Sequence, residues 1–335
     1  MNPEALSQSR NLLLSCTHPL LVTHIAPDGD AVGSLLGMGW ALRALGKEPT
    51  LSCQDAIPQR FGFLAGTNQI TSNPTGAFDL LICLDCSDPF RMGSIGDLAG
   101  VDSLPLLNVD HHVTNLQFGM VNLVDVAAVS TTHILYQLFR YLEIPIDERI
   151  AGPLLTGLVT DTRSFRTSNV TAEVLQIAIE LMQAGAPLTT ITFRTLDQRS
   201  LPTIKLWGIA LSRLEAADGV VWTSVPIAVQ RAVGLNSYAS SGLSNLLIGA
   251  QEVVASAVFT EREDGQIEVG FRAVPGFDVS RIALSLGGGG HALASGCLVP
   301  GPLEEAQEQV LSLLREDVAR QLEQAAAGNE RHPQP

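Results

Sequence analysis

The first half of the chain alternates short apolar runs with segments of helical periodicity, and this alternation constrains the fold more than any other feature. The runs at 20–25, 78–85 and 104–110 are rich in Leu, Ile and Val, which is typical of core strands. Between the first two, residues 32–45 have helical periodicity and stop at Gly46. Strand, helix and strand in this order predict βαβ units and a parallel sheet.

The second half is patterned differently, with short strands and a hairpin around Asp264-Gly265. Further helices are predicted at 130–143, 147–160, 169–184, 200–217, 279–286 and 303–325, and further strands at 219–226, 252–262 and 266–274. We therefore predict an α/β protein with a Rossmann-like parallel-sheet lobe and a smaller α/β lobe, joined by a helical linker. The expected boundaries are 1–190 for the first lobe, 191–217 for the linker helix, 218–326 for the second lobe and 327–335 for a disordered tail.

The charge balance limits the partners. A net charge of −14 over 335 residues argues against tight binding to long nucleic acid, duplexes included, because such binding needs many Lys and Arg contacts. It does not exclude a short anion held by metal ions and a few arginines. No apolar run approaches the roughly 18 residues that span a bilayer, and the first residues lack the layout of a signal peptide. We therefore expect a cytoplasmic protein with no membrane partner, and its five cysteines fit reduced thiols.

Asp110, His111 and His112 directly follow the apolar run at 104–109. In an open parallel sheet the carboxyl ends of the strands meet at a crevice where ligands bind. A single His on a strand would usually be structural. One carboxylate and two imidazoles in a row at such a point are hard to explain as core packing.

Three other element ends carry matching groups. His24, Asp28 and Asp30 form a His-x-x-x-Asp-x-Asp turn after the first run, Asp85 ends the second run, and Asp161 ends the helix predicted at 147–160. Taken singly, an ordinary turn explains Asp28 and Asp30 equally well, and a helix-end position explains Asp161. Their joint placement at successive element ends favours one shared site.

The chemistry of these groups points to metal. Clustered carboxylates resist burial unless cations accompany them. Aspartate oxygens mixed with histidine nitrogens suit Mn²⁺, Mg²⁺ or similar ions rather than structural zinc. The ligands suffice for two ions that share a bridging carboxylate, the arrangement that drives in-line displacement at phosphorus.

These motifs, in this order, resemble those of the DHH phosphoesterase family. The matching segments are His24-x-x-x-Asp28-x-Asp30, Asp85 with Arg91, Asp110-His111-His112, Asp161, and the run Gly287-Gly288-Gly289-Gly290-His291, which resembles the signature of the DHH-associated C-terminal domain. The resemblance covers nearly the whole chain. In length and in its two-lobed layout, the chain is most similar to the bacterial nanoRNase and pAp phosphatase subgroup.

The resemblance implies a role for each group in the first lobe. One ion would be held by His24, Asp28 and Asp85, and the other by Asp30, Asp85, His111 and Asp161, with Asp85 bridging. Asp110 would orient a ligand, and His112 would contact the scissile phosphate or assist the leaving group as an acid. The ions would be Mn²⁺, with Mg²⁺ or Co²⁺ as alternatives.

The resemblance also makes the second lobe a substrate-binding domain that closes over the catalytic one. Backbone N–H groups of Gly288, Gly289 and Gly290 would approach an anion, His291 would contact a terminal phosphate or base, and Arg272 would pair with phosphate. Arg91 would be a phosphate or structural partner of the metal site. The alternatives are a flexible turn for the glycine run and solvated surface positions for the two arginines.

The implied activity is hydrolysis of short oligoribonucleotides by a metal-dependent phosphodiesterase that also acts on pAp; linear or cyclic dinucleotides are the next alternative. Relatives often carry Ser in place of Ala273 and a basic residue in place of Ala292, so substrate preference is less determined than the chemistry. A pyrophosphatase and a non-catalytic nucleotide-binding protein remain as other classes. The oligomeric state, a homodimer included, stays open.

Overall fold

The computed structural model describes residues 2–98, 103–235 and 242–330. The chain forms two compact units that divide after Gln198. A wholly parallel sheet with helices makes up the first, and a mixed sheet with helices makes up the second. The predicted α/β class, with a parallel-sheet lobe and a second α/β lobe, is confirmed.

A five-stranded sheet in the order β2-β1-β3-β4-β5 forms the centre of the first unit. Its strands are β1 (Pro19–Thr23), β2 (Thr50–Ser52), β3 (Leu80–Leu84), β4 (Leu106–Asp110) and β5 (Val121–Val124). Every residue of β1 and β3 is buried, which explains their unbroken apolar sequences. The edge strands β2 and β5 were not predicted, because strands this short carry little periodicity.

The helices of the first unit pack on the sheet through a core of Leu, Ile and Val side chains. They are α1 (Pro3–Ser15), α2 (Gly29–Ala44), α3 (Thr131–Tyr141), α4 (Glu148–Asp161), α5 (Ala172–Gln183) and α6 (Leu188–Thr192), with a π-helical turn at Phe193–Asp197 and 3-10 turns at Gln59–Phe61, Thr67–Gln69 and Pro89–Ile95. The predictions of α2 to α5 are confirmed to within a few residues. Asp28 caps the N-terminus of α2, where its carboxylate accepts from the N–H groups of Asp30 and Ala31.

The second unit contains a six-stranded sheet in the order β10-β11-β9-β8-β7-β6, in which β7 and β8 are parallel and the other pairs antiparallel. The strands are β6 (Glu215–Ala217), β7 (Val220–Val225), β8 (Ala255–Glu261), β9 (Gln266–Ala273), β10 (Gly289–His291) and β11 (Ala294–Pro300). The helices are α7 (Leu201–Leu211), α8 (Ile227–Ala232), α9 (Leu243–Leu247), α10 (Ser280–Ser285) and α11 (Leu303–Glu330). The β8–β9 hairpin agrees with its prediction.

Two predicted segments differ in the structure. The helix expected at 200–217 ends at Leu211, and residues 215–217 form β6 instead. Helix α7 is part of the second unit rather than a separate linker, because Leu206 and Ala210 share a core with β7. The last helix continues to Glu330, so residues 327–330 of the predicted tail are helical, while residues 331–335 lie outside the described residues.

Within the described ranges no single helix has the length and apolar composition needed to cross a membrane, although one bent pair, Ala172–Gln183 with Leu188–Asp197, meets those two criteria together.

Candidate metal centre and substrate-binding residues

The site lies at the carboxyl edge of the parallel sheet. His24 follows β1, Asp85 follows β3 and Asp110 ends β4. The strand order reverses direction between β1 and β3, and the crevice at such a switch point is where open α/β sheets bind ligands. Asp85 itself has a left-handed backbone, with φ +62°, an uncommon conformation for a residue other than Gly.

His24 faces two carboxylates. Its Nε2 lies 3.5 Å from Asp85 Oδ2 and 3.9 Å from Asp28 Oδ1. Its Nδ1 lies 2.8 Å from the carbonyl oxygen of Ile25, so Nδ1 carries the proton that it donates there. Nε2 is thereby aimed at the carboxylates as a ligand nitrogen, the orientation that metal-binding histidines adopt.

His111 faces a second group of carboxylates. Its Nε2 lies 3.3 Å from Asp161 Oδ2, 4.0 Å from Asp30 Oδ2 and 3.8 Å from Asp85 Oδ1. Asp85 therefore directs one oxygen towards His24 and the other towards His111. The structure brings all six predicted metal ligands together: His24, Asp28 and Asp85 form one group, and Asp30, His111 and Asp161 form a second. Asp85 adjoins the second group through its Oδ1, which lies 3.8 Å from His111 Nε2.

Burial and mutual repulsion perturb these groups. Burial, with the nearby charge of Asp85, raises the pKa of Asp30 to about 8. Burial also raises the pKa of Asp161, and the charge of Asp30 adds to it. Asp85 is the exception: burial alone would raise its pKa, but the surrounding histidines, His24 first, hold it below the ordinary value.

The burial and the partners of these carboxylates show whether a metal ion fits the site. Asp30 and Asp85 are 0% and 2% exposed, and no lysine or arginine is paired with either in the described part of the chain. Buried carboxylates of this kind need a cation, and oxygen donors mixed with imidazole nitrogens suit divalent ions of the manganese and magnesium type. The donor set fits, and we identify the cluster as a divalent-metal site.

His112 forms a third group of potential ligands with Asp85 and His111. Its Nδ1 is 2.7 Å from Asp110 Oδ1 and 3.8 Å from Asp85 Oδ1. Burial would lower the pKa of His112, but the hydrogen bond to Asp110 and the charge of Asp85 outweigh burial and raise it. Asp110, fully buried, also accepts from Asn115 Nδ2 at 2.6 Å.

Sequence reasoning predicted α3 but missed that residues at its start, and Asn115, bind side chains of the site. Thr131 and Thr132 donate hydrogen bonds to Asp30 and Asp85, two of the predicted ligands. The sequence signal was the run Ser130, Thr131 and Thr132 at a helix start, and such a run by itself indicates only a helix N-cap. Nothing in that run indicates a partner 101 residues earlier in the chain.

Arg91 belongs to the 3-10 turn at Pro89–Ile95, and its carbonyl oxygen accepts from the N–H of Ile25 at 2.9 Å. This bond joins the turn to the segment that follows His24. Among the described residues, the Arg91 guanidinium makes no ion pair with a carboxylate. The contact supports a structural connection to the site and leaves a role towards phosphate as a prediction.

In the second unit the glycine run is more ordered than predicted. Residues Gly289–His291 form β10, paired with β11 in a tight antiparallel hairpin. The N–H groups of Gly287 and Gly288 donate to Leu284 and Ala283, so these two amides are not directed at an anion. Gly288 has a packing reason to be glycine, since a Cβ there would lie 2.1 Å from the Gly296 carbonyl oxygen.

His291 and Arg272 sit on neighbouring strands of that sheet. His291 on β10 is paired with Ala294 of β11, and Ala294 is paired on its other side with Arg272 of β9. The Arg272 Nε donates to Asn245 Oδ1 at 2.8 Å, and its Nη1 donates to the Phe271 carbonyl at 2.7 Å. Arg272 is therefore held in place rather than solvated as a flexible surface arginine.

The fold and the cluster define a class, a two-unit α/β metalloprotein whose metal site lies at the switch point of a parallel sheet. Residues 19–158 match the model of the DHH family N-terminal domain, and residues 224–320 match that of the DHHA1 domain. The chain is 35% identical over 306 residues to the bifunctional oligoribonuclease and PAP phosphatase NrnA of Thermus thermophilus, and the aligned region covers 90% of each chain. The protein belongs to the DHH family.

Two further comparisons show how far the likeness extends. A probable manganese-dependent inorganic pyrophosphatase of Streptococcus thermophilus is 29% identical over 176 residues, 49% of this chain and 55% of that protein. The solved structure of an exopolyphosphatase-related protein from Bacteroides fragilis matches with a TM-score of 0.88 at 23% identity, covering 95% of this chain and 98% of that one. This last likeness supports the fold alone.

Proposed function

We propose that this protein is a divalent-metal-dependent phosphoesterase that hydrolyses short oligoribonucleotides to mononucleotides and pAp to AMP. The observation that carries the proposal is the position of Asp85, whose two carboxylate oxygens face His24 and His111 respectively. One shared carboxylate between two ligand groups is the donor arrangement of a two-metal phosphoesterase. The likeness to the Thermus protein over 90% of the chain supports the substrate class.

We assign His24, Asp28 and Asp85 to one ion and Asp30, Asp85, His111 and Asp161 to the other. Mn²⁺ is our first choice for both, with Mg²⁺ or Co²⁺ as alternatives, because the donors are carboxylate oxygens and imidazole nitrogens. Two such ions, when bound, activate a water molecule and neutralise charge on the phosphoryl oxygens.

The chain's own residues supply the proton chemistry. The hydrogen bond from His112 Nδ1 to Asp110 fixes the imidazole orientation. The raised pKa of His112 keeps its ring protonated to higher pH than that of a free histidine. We assign His112 the role of acid towards the leaving oxygen, with Asp110 as its positioning residue.

The second unit is proposed to bind the part of the substrate away from the scissile bond. Arg272, held by Asn245, is pre-oriented for a phosphate oxygen. His291 is exposed on β10 and suits a terminal phosphate or a base. Gly289 and Gly290 remain the backbone positions that we propose for an anion, since Gly287 and Gly288 use their N–H groups internally.

The same proposal limits the partners. A net charge of −14 favours a short single strand over a long duplex, because few cations are available to neutralise phosphates. We place the protein in the cytoplasm, where its five buried thiols stay reduced. A homodimer stays a prediction for measurement of molecular mass in solution.

Other substrates are distinguished by chemistry. Linear or cyclic dinucleotides carry the same phosphodiester and are our second candidate. A pyrophosphatase is disfavoured because the likeness to the Streptococcus enzyme covers only 49% of this chain, whereas residues 224–320 match a DHHA1 domain. A non-catalytic nucleotide-binding protein is disfavoured because the cluster contains all six ligands.

The test uses purified protein with Mn²⁺ and, separately, labelled RNA of two to five nucleotides, pAp, a cyclic dinucleotide and pyrophosphate. Asp85→Ala is the inactive variant, and Asp317→Asn is its matched control, a buried carboxylate of the second unit that binds Arg320 and Gln321. Release of mononucleotides from RNA by the wild type and by Asp317→Asn, but not by Asp85→Ala, is the expected result. The functional assignment would be overturned if the protein hydrolysed pyrophosphate alone, or if it bound metal and hydrolysed none of these substrates.

A further inference from the structure

The first turn of α3 contacts two carboxylates of the metal cluster at once. Thr131 N–H donates to Asp30 Oδ2 at 2.6 Å, and Thr131 Oγ1 donates to Asp85 Oδ1 at 2.9 Å. Thr132 donates twice to the other oxygen of Asp30, from its N–H at 3.0 Å and from its Oγ1 at 2.8 Å. All four side chains are at most 2% exposed.

The hydroxyl bonds have a defined direction. Asp30 must be ionised to bind metal, and an ionised carboxylate only accepts, so in the metal-binding state the single proton of Thr132 Oγ1 points to Asp30. Ser130 Oγ, 2.8 Å from Thr132 Oγ1, must then donate to it, while accepting from the N–H of His133 at 3.0 Å. The result is a directed chain from the backbone of α3 through two hydroxyls to Asp30, in which each bond polarises the next.

Helix α4 packs closely against these hydrogen bonds. A Cβ on Gly157 of α4 would lie 2.3 Å from Thr132 Oγ1 and 2.4 Å from Asp30 Oδ1. Helices α2, α3 and α4 therefore meet at this point, each contributing one part: the carboxylate, the hydroxyl and the space for both. Because the cluster is this tight, Asp30 cannot rotate without breaking the bonds to Thr132.

We propose that Thr131 and Thr132 are positioning residues that hold Asp85 and Asp30 in the orientation in which they receive the two metal ions. The inference rests on the ligand assignment of the proposed function. Thr131 acts on Asp85 and so on both ion positions. Thr132 acts on Asp30 and so on the position that Asp30 forms with His111 and Asp161.

The experiment measures two-step Mn²⁺ binding to the metal-free full-length protein by calorimetry and by the loss of the free Mn²⁺ spin-resonance signal. Thr131→Val and Thr132→Val remove one hydroxyl each at constant volume, and Thr131→Ser and Thr132→Ser restore it. Thr156→Val is the matched control, a fully buried threonine of α4 whose hydroxyl bonds, among the residues that the structure describes, only the Gly152 carbonyl of its own helix, at 2.9 Å.

We expect Thr131→Val to weaken both binding steps and Thr132→Val to weaken one, by about 10- to 100-fold, the usual effect of losing a partner of a metal ligand. The serine variants should bind within a few-fold of wild type, and Thr156→Val should bind like wild type. Thermal unfolding of each metal-free variant confirms that it folds; Thr132→Ala, which introduces no larger group, replaces Thr132→Val where the latter does not fold.

The outcomes separate the two proposals. Wild-type protein that binds two Mn²⁺ ions while the valine variants bind them equally well would overturn the positioning role alone. Equal losses in Thr132→Val and Thr156→Val would also overturn it, because a general loss of packing then explains both. Wild-type protein that takes up no Mn²⁺ would overturn the proposed function and this inference with it.

Discussion

His112 Nδ1 and Asp110 Oδ1 lie 2.7 Å apart, and Asp110 receives a second hydrogen bond from Asn115 at 2.6 Å. The buried carboxylate is thus the link between an imidazole at the metal site and a side-chain network behind it. The network ties the orientation and the protonation of His112 to Asn115, whose amide also donates to Asn108 Oδ1 and to the Cys86 carbonyl.

Asp110→Asn tests this link. Both His112 and Asn115 donate to the Asp110 carboxylate. The asparagine side chain has only one oxygen to accept a hydrogen bond, and its NH₂ group would face the other donor. One of the two hydrogen bonds is therefore lost. We expect about a 10- to 100-fold lower kcat on short RNA. Losing the carboxylate also lowers the pKa of His112, since Asp110 is the largest influence that raises it against burial. If His112 is the acid, the high-pH limb of the kcat profile therefore moves to lower pH.

The control for that variant is Asp147→Asn, at the exposed cap of α4, which should leave the pH profile unchanged. An unshifted profile in Asp110→Asn would remove His112 as the acid.

Gly157→Ala should lower both stability and metal affinity. Its Cβ would lie 2.3 Å from Thr132 Oγ1, so the contact between α3 and α4 must open. Overpacking of this kind costs about 1–3 kcal/mol. Gly152→Ala on the same helix is the matched control: a Cβ there meets nothing within 4 Å, so the change should stabilise the protein by roughly 0.5–1 kcal/mol. Urea denaturation and Mn²⁺ titration measure the two effects, and equal behaviour of the variants would contradict the argument.

Metal binding should release protons at neutral pH. In the metal-free protein the pKa of Asp30 is raised to about 8, by burial and then by the charge of Asp85. The pKa of His111 is raised to about 10, because the hydrogen bond that His111 donates to Asp161 and the charges of Asp30 and Asp85 outweigh burial. Both groups carry a proton at pH 7 and must lose it to bind metal, so Mn²⁺ affinity rises as pH rises. Calorimetry in two buffers of different ionisation enthalpy measures the protons released; buffer-independent heats would contradict the prediction.

Arg272→Ala should impair substrate binding without affecting the metal. Arg272 lies in the second unit, where Asn245 and the Phe271 carbonyl orient its guanidinium. We expect a KM for pAp about tenfold higher, from the loss of one charge-assisted hydrogen bond, and unchanged Mn²⁺ binding. Arg262→Ala, in the exposed turn of the same β8–β9 hairpin, is the control. A normal KM in Arg272→Ala would leave this arginine with a structural role only.

Much of the fold follows from local sequence. The unbroken apolar strands β1 and β3 and the helices α2 to α5 carry strong periodicity and clear ends, such as Gly46 after α2 with φ +75°. The elements that were missed or misplaced are short, or owe their form to packing. Residues 215–217 were assigned to a helix and form β6, because pairing with β7 satisfies their backbone groups.

The six residues that we propose as metal ligands could be selected from the sequence because each stands close to the end of a strong element, and parallel strands bring their carboxyl ends to one edge. The sequence by itself therefore determined which chemical groups meet. The tertiary structure alone decided how they are held. Asp30 depends on Thr132, 102 residues later, and on the space beside Gly157. Such contacts arise only where three helices converge, since local patterning encodes which face of a helix is buried but not which partner it meets there.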